Sequence, residues 1–192
     1  MTPIVYLAGP EVFLPAGLEL IERKRELARV HGFEPTQLPA EMLPVEAEDA
    51  YDRGVQISML NERRMDMATV CIANLTPFRG ISADVGTVYE LGYMAAQRKA
   101  VFGYTNDPRP YRDRAADHYA ASGPVEPDGE GVLRAPDGQK VEDHRMADNL
   151  MLDGGISLRG GRFVRAAVPA AWDDLTAFEA CLEVARDALA GA

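Results

Sequence analysis

The sequence predicts an α/β fold in which a doubly wound parallel sheet of about five strands carries helices on both faces. Three observations point that way. Short apolar runs rich in strand formers alternate with longer runs of helical periodicity. Brief breaks containing Gly, Pro and Asp separate them. The chain has 192 residues, 47% hydrophobic and 26% charged, enough for a single domain with a sizeable core.

PIVYLA (residues 3–8) is short and apolar and reads as a buried first strand, ended by Gly9 and Pro10. Residues 16–31 carry Leu20, Ile21, Leu27 and Ala28 on one helical face, and Gly32 closes that helix. Residues 33–36 are the candidate second strand. Residues 37–50, with two prolines and several acids, read as a loop. A second helix follows over 51–68, a third strand over 69–75, a third helix over 84–98 and a fourth strand, AVFGYT, over 100–105. This alternation gives a flavodoxin-like sheet with right-handed crossovers. Residues 106–147 are rich in Pro, Gly, Asp and Arg and read as an irregular insertion over one end of the sheet. Within it VLRAPDGQKVE (132–142) has a hairpin signature turning at Pro136, Asp137 and Gly138, while 114–131 fits a disordered surface loop equally well. The last helix carries Leu175, Phe178, Leu182, Ala185 and Leu189 at spacings of three and four. The whole chain, 1–192, is thus expected to be one domain.

Composition narrows the function. A formal charge of −10 with no basic stripe argues against a nucleic-acid partner. No apolar run approaches the ~20 residues of a membrane span, and no export signal precedes the first strand, so the cytoplasm is the expected location. Cys71 and Cys181 read as buried thiols. His31, His118 and His144 have no zinc-ligand spacing with them, so no metal site is expected. There is no G-x-x-x-x-G-K-[ST], no G-x-G-x-x-G and no G-x-S-x-G.

Chemistry is expected where the loops leave the carboxyl ends of the strands. SADVGTVYELGYM (82–94) puts Asp84 at a helix start and Glu90 further in, among Val88, Leu91 and Met94. Asp84 is an N-cap candidate, and capping alone would explain it. Glu90 has Met94 four residues on, which offers no ion pair. The helix dipole would favour its anion, and Gly92 would let the helix approach the sheet. Two carboxylates at one loop–helix junction suit glycosyl transfer: one attacks the anomeric carbon, and another group handles the leaving group's proton. Elsewhere, Arg79 reads as closing its loop through carbonyls, with substrate contact the alternative. Trp172 reads as core, the Arg109, Arg112 and Arg114 run as a solvated face, and Tyr89 and Tyr93 as packing or interface residues.

VYLAGPEVF (5–13), ANLTPFRGISADVGTVYELGYM (73–94) and DNLML (148–152) resemble, in order, the three signatures of the nucleoside 2-deoxyribosyltransferase family. The middle one is long and specific; the outer two are weak alone. The resemblance implies transfer of a 2-deoxyribosyl group between nucleobases, ping-pong and retaining, without cofactor. It implies Glu90 as the nucleophile that becomes a glycosyl ester. Asp84 would hold the sugar hydroxyls or the base and assist proton transfer, and Tyr6 would orient the nucleophile. Gly9, Phe13, Asn61, Asn149 and Met151 would bind substrate, Phe13 against the base. Partners would be 2′-deoxynucleosides, free nucleobases and further copies of the chain, in a dimer or hexamer where Asn149 completes a neighbouring site. Some members carry a base-contacting Asp on the preceding helix. In SMLNERRMD (58–66) Asn61 is the nearer match and Asp66 caps or faces water, so the residue that protonates the leaving base is open. Two other readings stay in view: an N-glycosidase of nucleosides or nucleotides, and a non-catalytic nucleoside-binding module. Asp84 would repel a 5′-phosphate, which favours nucleosides.

Overall fold

A computed structural model describes residues 2–37 and 47–191; most of the loop expected at 37–50 lies outside the described residues. In chain order the first elements are β1 (Ile4–Ala8), α1 (Gly17–Val30), β2 (Glu34–Pro35), α2 (Ala50–Met67), β3 (Val70–Asn74), α3 (Val85–Ala96) and β4 (Ala100–Thr105). Then come α4 (Tyr111–Tyr119), β5 (Glu126–Pro127), β6 (Leu133–Arg134), α5 (Leu150–Ser157), β7 (Phe163–Arg165) and α6 (Thr176–Ala190). A five-stranded sheet runs β2–β1–β3–β4–β7, with every adjacent pair parallel, as the β/α alternation predicts.

Side chains alternate across a strand, so each strand feeds two layers. Val5, Val70, Ile72, Phe102 and Tyr104 join Ala28 of α1 and Phe178, Cys181 and Leu182 of α6 in one buried cluster. Tyr6, Ala8, Cys71, Ala73 and Val101 face the other way, onto Met65, Leu91, Met94, Leu152 and Ile156 from α2, α3 and α5. Tyr6 pairs in register with Cys71, and Ala8 with Ala73. These small neighbours leave the tyrosine ring room under α3. Both cysteines are buried free thiols.

Local chemistry moves several boundaries. β2 is shorter than residues 33–36 because the Phe33 amide donates to the Ala28 carbonyl (2.9 Å), closing α1, and Pro35 has no N–H to donate. Glu34 and Thr36 make the ladder bonds instead, to Pro3 and Val5 (both 2.9 Å). Gly92 does not serve close packing, since a Cβ there would meet nothing within 4 Å. The close approach is at Gly103, where a Cβ would lie 2.7 Å from Leu75 Cδ1 and 3.0 Å from Ile156 Cδ1.

Residues 106–147 contain α4, the β5–β6 hairpin and a second turn closed by the Gly138 amide on the Ala135 carbonyl (2.8 Å), at the Pro136–Gly138 position the sequence indicates. Ala115, Val125, Ala135 and Val141 form a small core of their own. The surface-face reading of the arginine run fails at Arg114. α4 turns that side chain inward, where it is buried against Asp148 (3.2 Å) and donates to the carbonyls of Ile81 (2.9 Å) and Arg109 (2.8 Å). Arg109 does stay at the surface, paired with Asp107 and Asp117. No described helix is long and apolar enough to cross a membrane.

Candidate active site

The chain leaves β1 for β2 on one side and passes from β3 to β4 on the other. Between the carboxyl ends of β1 and β3 this reversal opens a crevice, flanked by the turn after β1 and the loop 75–84. The carboxylates of interest gather there.

Tyr6 projects from β1 onto the face covered by α3, and its hydroxyl donates a short hydrogen bond to Glu90 Oε1. The partner that sequence spacing could not supply for Glu90 thus comes from a strand 84 residues away. Burial dominates the electrostatics of Glu90. It pushes the carboxyl from 4.5 up to about 7; the Asp84 and Glu11 carboxylates push the same way, while the Tyr6 hydroxyl and the Arg64 guanidinium oppose them. The expectation that the helix dipole keeps Glu90 charged is therefore corrected. The dipole effect, typically 0.3–1 kcal/mol in the first turn, is outweighed by desolvation. Burial, then the adjacent Glu90 charge, drives the Tyr6 hydroxyl far above its ordinary range, so it remains a donor.

Asp84 caps α3: its Oδ2 accepts from the Thr87 amide (2.9 Å) and hydroxyl (3.1 Å). Its Oδ1 accepts no hydrogen bond among the described residues. The cap and the second carboxylate are one residue.

Below the crevice lies a buried pair that sequence reading missed. Glu11 and Lys24 are 3% and 2% exposed, with Nζ 2.6 Å from Oε1. Asn74 Nδ2 (2.8 Å) and the Tyr104 hydroxyl (3.4 Å) donate to the same oxygen. Burial alone would raise Glu11, but Lys24 and Asn74 hold the carboxyl below its ordinary value. Gly9 is required here, since a Cβ would lie 2.0 Å from Glu11 Oε2. The spacing of Leu20, Lys24 and Ala28 along α1, all buried, was the available signal.

The turn after β1 carries Phe13, 56% exposed, stacked on Phe78 with centroids 5.7 Å apart. Trp172 meets Phe78 edge-on at 5.9 Å, so it is half-buried at the crevice rim rather than core. Arg79 does not close its loop through carbonyls; its guanidinium carbon lies 4.7 Å from both phenyl centroids.

Asn61 is half-buried on α2, where its Oδ1 has a long 3.5 Å contact from Arg64 Nη1. Asp66 is exposed and accepts from Tyr93 (3.0 Å) and Gln97 (2.7 Å). Asn149 caps α5, with Oδ1 accepting from the Met151 amide (3.0 Å) and Nδ2 donating to Glu142 (3.3 Å). Asn149 and Met151 are exposed, and among the described residues neither is hydrogen-bonded to Glu90. Asp148 links them to the crevice: it accepts from the Ala83 amide (3.0 Å), beside Asp84, and pairs with Arg114. The structure thus gathers Tyr6, Gly9, Glu11, Asp84 and Glu90, sets Phe13 at the rim and leaves Asn149 and Met151 at the surface. Among the described residues no cluster of three or more His, Cys, Asp or Glu is arranged to hold a metal. A groove of about 490 Å³ between α1 and α6, lined by Arg23, Leu27 and Thr176, is on the opposite sheet face from Glu90 and has no part in this grouping.

Comparison with known proteins agrees with this architecture. The uncharacterized protein C191.05c of Schizosaccharomyces pombe is 33% identical over 172 residues, 83% of this chain and 79% of the relative. A 2-deoxyribosyltransferase from Leishmania mexicana superposes with a TM-score of 0.55 at 27% identity, covering 94% of this chain and 97% of that one. A conserved protein from Enterococcus faecalis shares the fold, with a TM-score of 0.53 at 21% identity over 97% of this chain and 99% of the other. The family model for nucleoside 2-deoxyribosyltransferase matches residues 5–151, from the tyrosine strand through the Asn149 segment, and the chain belongs to that family.

Proposed function

We propose that this protein transfers a 2-deoxyribosyl group between nucleobases through a covalent ester on Glu90. The observation that carries the reading is the Tyr6 hydroxyl bonded to a Glu90 carboxylate that shares the crevice with Asp84. In the first half-reaction Glu90 attacks the anomeric carbon from the face opposite the base. The C–N bond breaks, its electron pair goes to the base nitrogen, and the sugar passes through an oxocarbenium-like state that the carboxylate stabilises and then captures. The departing base takes a proton. The uncommitted Oδ1 of Asp84 is the group suited to hold the sugar or base and to mediate that transfer. In the second half-reaction the nitrogen of another base attacks the same carbon and gives up its proton by way of Asp84, restoring the one the first base took, and Glu90 leaves as carboxylate. Two inversions give net retention. Tyr6 fixes which Glu90 oxygen attacks, because the hydrogen-bonded one is held by the ring.

Gly9 leaves room for the Glu11 carboxylate within the turn after β1, and Phe13 offers a ring face to the base. Asn61 would meet the substrate from α2. Asn149 and Met151, exposed in the single chain, suit completion of a neighbouring copy's crevice in a homo-oligomer.

The test is incubation of the purified protein with deoxyinosine or thymidine, with and without adenine, followed by chromatography. Deoxyadenosine formed only with the acceptor present is the expected result. Free base and deoxyribose in both tubes would make the protein an N-glycosidase. Binding without either product would make it a nucleoside-binding module and remove Glu90 from the role of nucleophile.

A further inference from the structure

We infer that Arg79, laid against the Phe13 and Phe78 rings, selects the nucleobase and favours 6-oxopurines; this rests on the base pocket of the proposed transferase. Its guanidinium carbon is 4.7 Å from each phenyl centroid, and among the described residues the group makes no hydrogen bond or ion pair. Cation–π contacts hold the guanidinium while leaving its N–H fork unspent. The backbone aims it: Arg79 has a φ of +54°, a left-handed conformation uncommon outside glycine. The loop is pinned around it by the Phe78 amide on the Ser82 carbonyl at 2.9 Å. The structure therefore supports a strained, exposed arginine beside an exposed aromatic face.

The donor pattern then decides the ligand. A guanidinium has donors and no acceptor. A purine held through its sugar nitrogen leaves its N7 edge free to meet such a fork. Hypoxanthine and guanine offer two adjacent acceptors there, N7 and O6, and accept a bidentate pair; adenine sets an amino donor against it. In thymine and uracil the two carbonyls flank the N3–H donor, so no two acceptors are adjacent. A 5′-phosphate is the other ligand a fork accepts, but Phe13 and Phe78 make this wall apolar and stacking, and Asp84 opposes a phosphate at the crevice.

Binding can be read without turnover, because Trp172 is the chain's only tryptophan and touches Phe78 edge-on. Quenching of its fluorescence by free hypoxanthine, guanine and adenine gives affinities for the wild type, Arg79→Ala and Arg79→Lys. The wild type is expected to bind hypoxanthine and guanine about tenfold more tightly than adenine. Arg79→Ala should abolish that preference with adenine affinity unchanged. Arg79→Lys should restore only part of it, since an ammonium lacks the planar fork. Equal losses for all three bases, an unchanged preference, or no base binding to the wild type would overturn the inference. So would an Arg79→Ala protein that loses affinity for deoxyinosine 5′-monophosphate but not for hypoxanthine, which would assign the fork to phosphate. If the Arg79-dependent preference appears while no transfer is detected, the inference stands and the transferase reading falls.

Discussion

Replacing Tyr6 with Phe isolates the contact on which the proposed mechanism depends. The ring is 6% exposed and packs beside Cys71 and Ala8, so Phe keeps the volume and removes only the hydroxyl. Glu90 sits at about 7 as the balance between burial with two neighbouring carboxylates, which raise it, and the Tyr6 bond and Arg64, which lower it. A hydrogen bond to a charged group is worth about 1.5–3 kcal/mol, and one pH unit corresponds to about 1.36 kcal/mol. Losing the hydroxyl should therefore raise Glu90 by about one to two units. In the proposed reaction Glu90 attacks as the anion, so activity should be present above this value and lost as pH falls through it. The acid limb of kcat/KM, which reports the free enzyme, should move from about 7 in the wild type to about 8–9 in the variant. At neutral pH this costs about 5–50-fold, and the gap should narrow at alkaline pH. The assay is kcat/KM for deoxynucleoside donors from about pH 5 to pH 10. A variant whose acid limb stays with the wild type, or moves to lower pH, would refute the argument that Tyr6 holds the nucleophile ionised.

The same displaced titration has a consequence for stability. Glu90 rises from 4.5 in the unfolded chain to about 7 in the fold, so its stabilising effect is full below 4.5 and is lost as pH rises through 7. Glu90→Gln should be about 3 kcal/mol more stable to urea than the wild type at alkaline pH, with the difference vanishing near pH 4; equal stabilities at both would contradict the burial assignment. Lys24→Met strands the Glu11 carboxylate 3% exposed and should cost about 3–5 kcal/mol. The double change Glu11→Gln with Lys24→Met should recover much of that loss, whereas strictly additive losses would mean the two groups do not act as a pair. Asp84→Asn should retain the bond to the Thr87 amide and the stability of α3, while Asp84→Ala loses about 1 kcal/mol. Both variants should be slow enzymes; a fully active Asp84→Asn would limit the residue to capping.

Much of this molecule follows from local sequence. The β/α alternation gives the sheet, because the period of apolar residues is set by the backbone of each segment. Asp84 caps α3 because a short acidic side chain before Val85 can reach an amide three residues on. The three motifs carried the family. Tertiary structure decided what depends on distant partners. Glu90 finds Tyr6 across 84 residues, and its acidity is set by burial, by the Asp84 cap of its own helix and by Glu11 from the turn after β1, so a local dipole argument misjudged it. Lys24 looks like a surface charge until Glu11 and Asn74 close over it, and Arg114 looks like one until Asp148 meets it from 34 residues away. Trp172 and Arg79 reach the rim because β1, β3 and the segment after β7 end on the same side of the sheet. Local segments fix their own periodicity and caps. The cost of burying a charge, and hence the chemistry of the crevice, is set by which groups the fold brings against it.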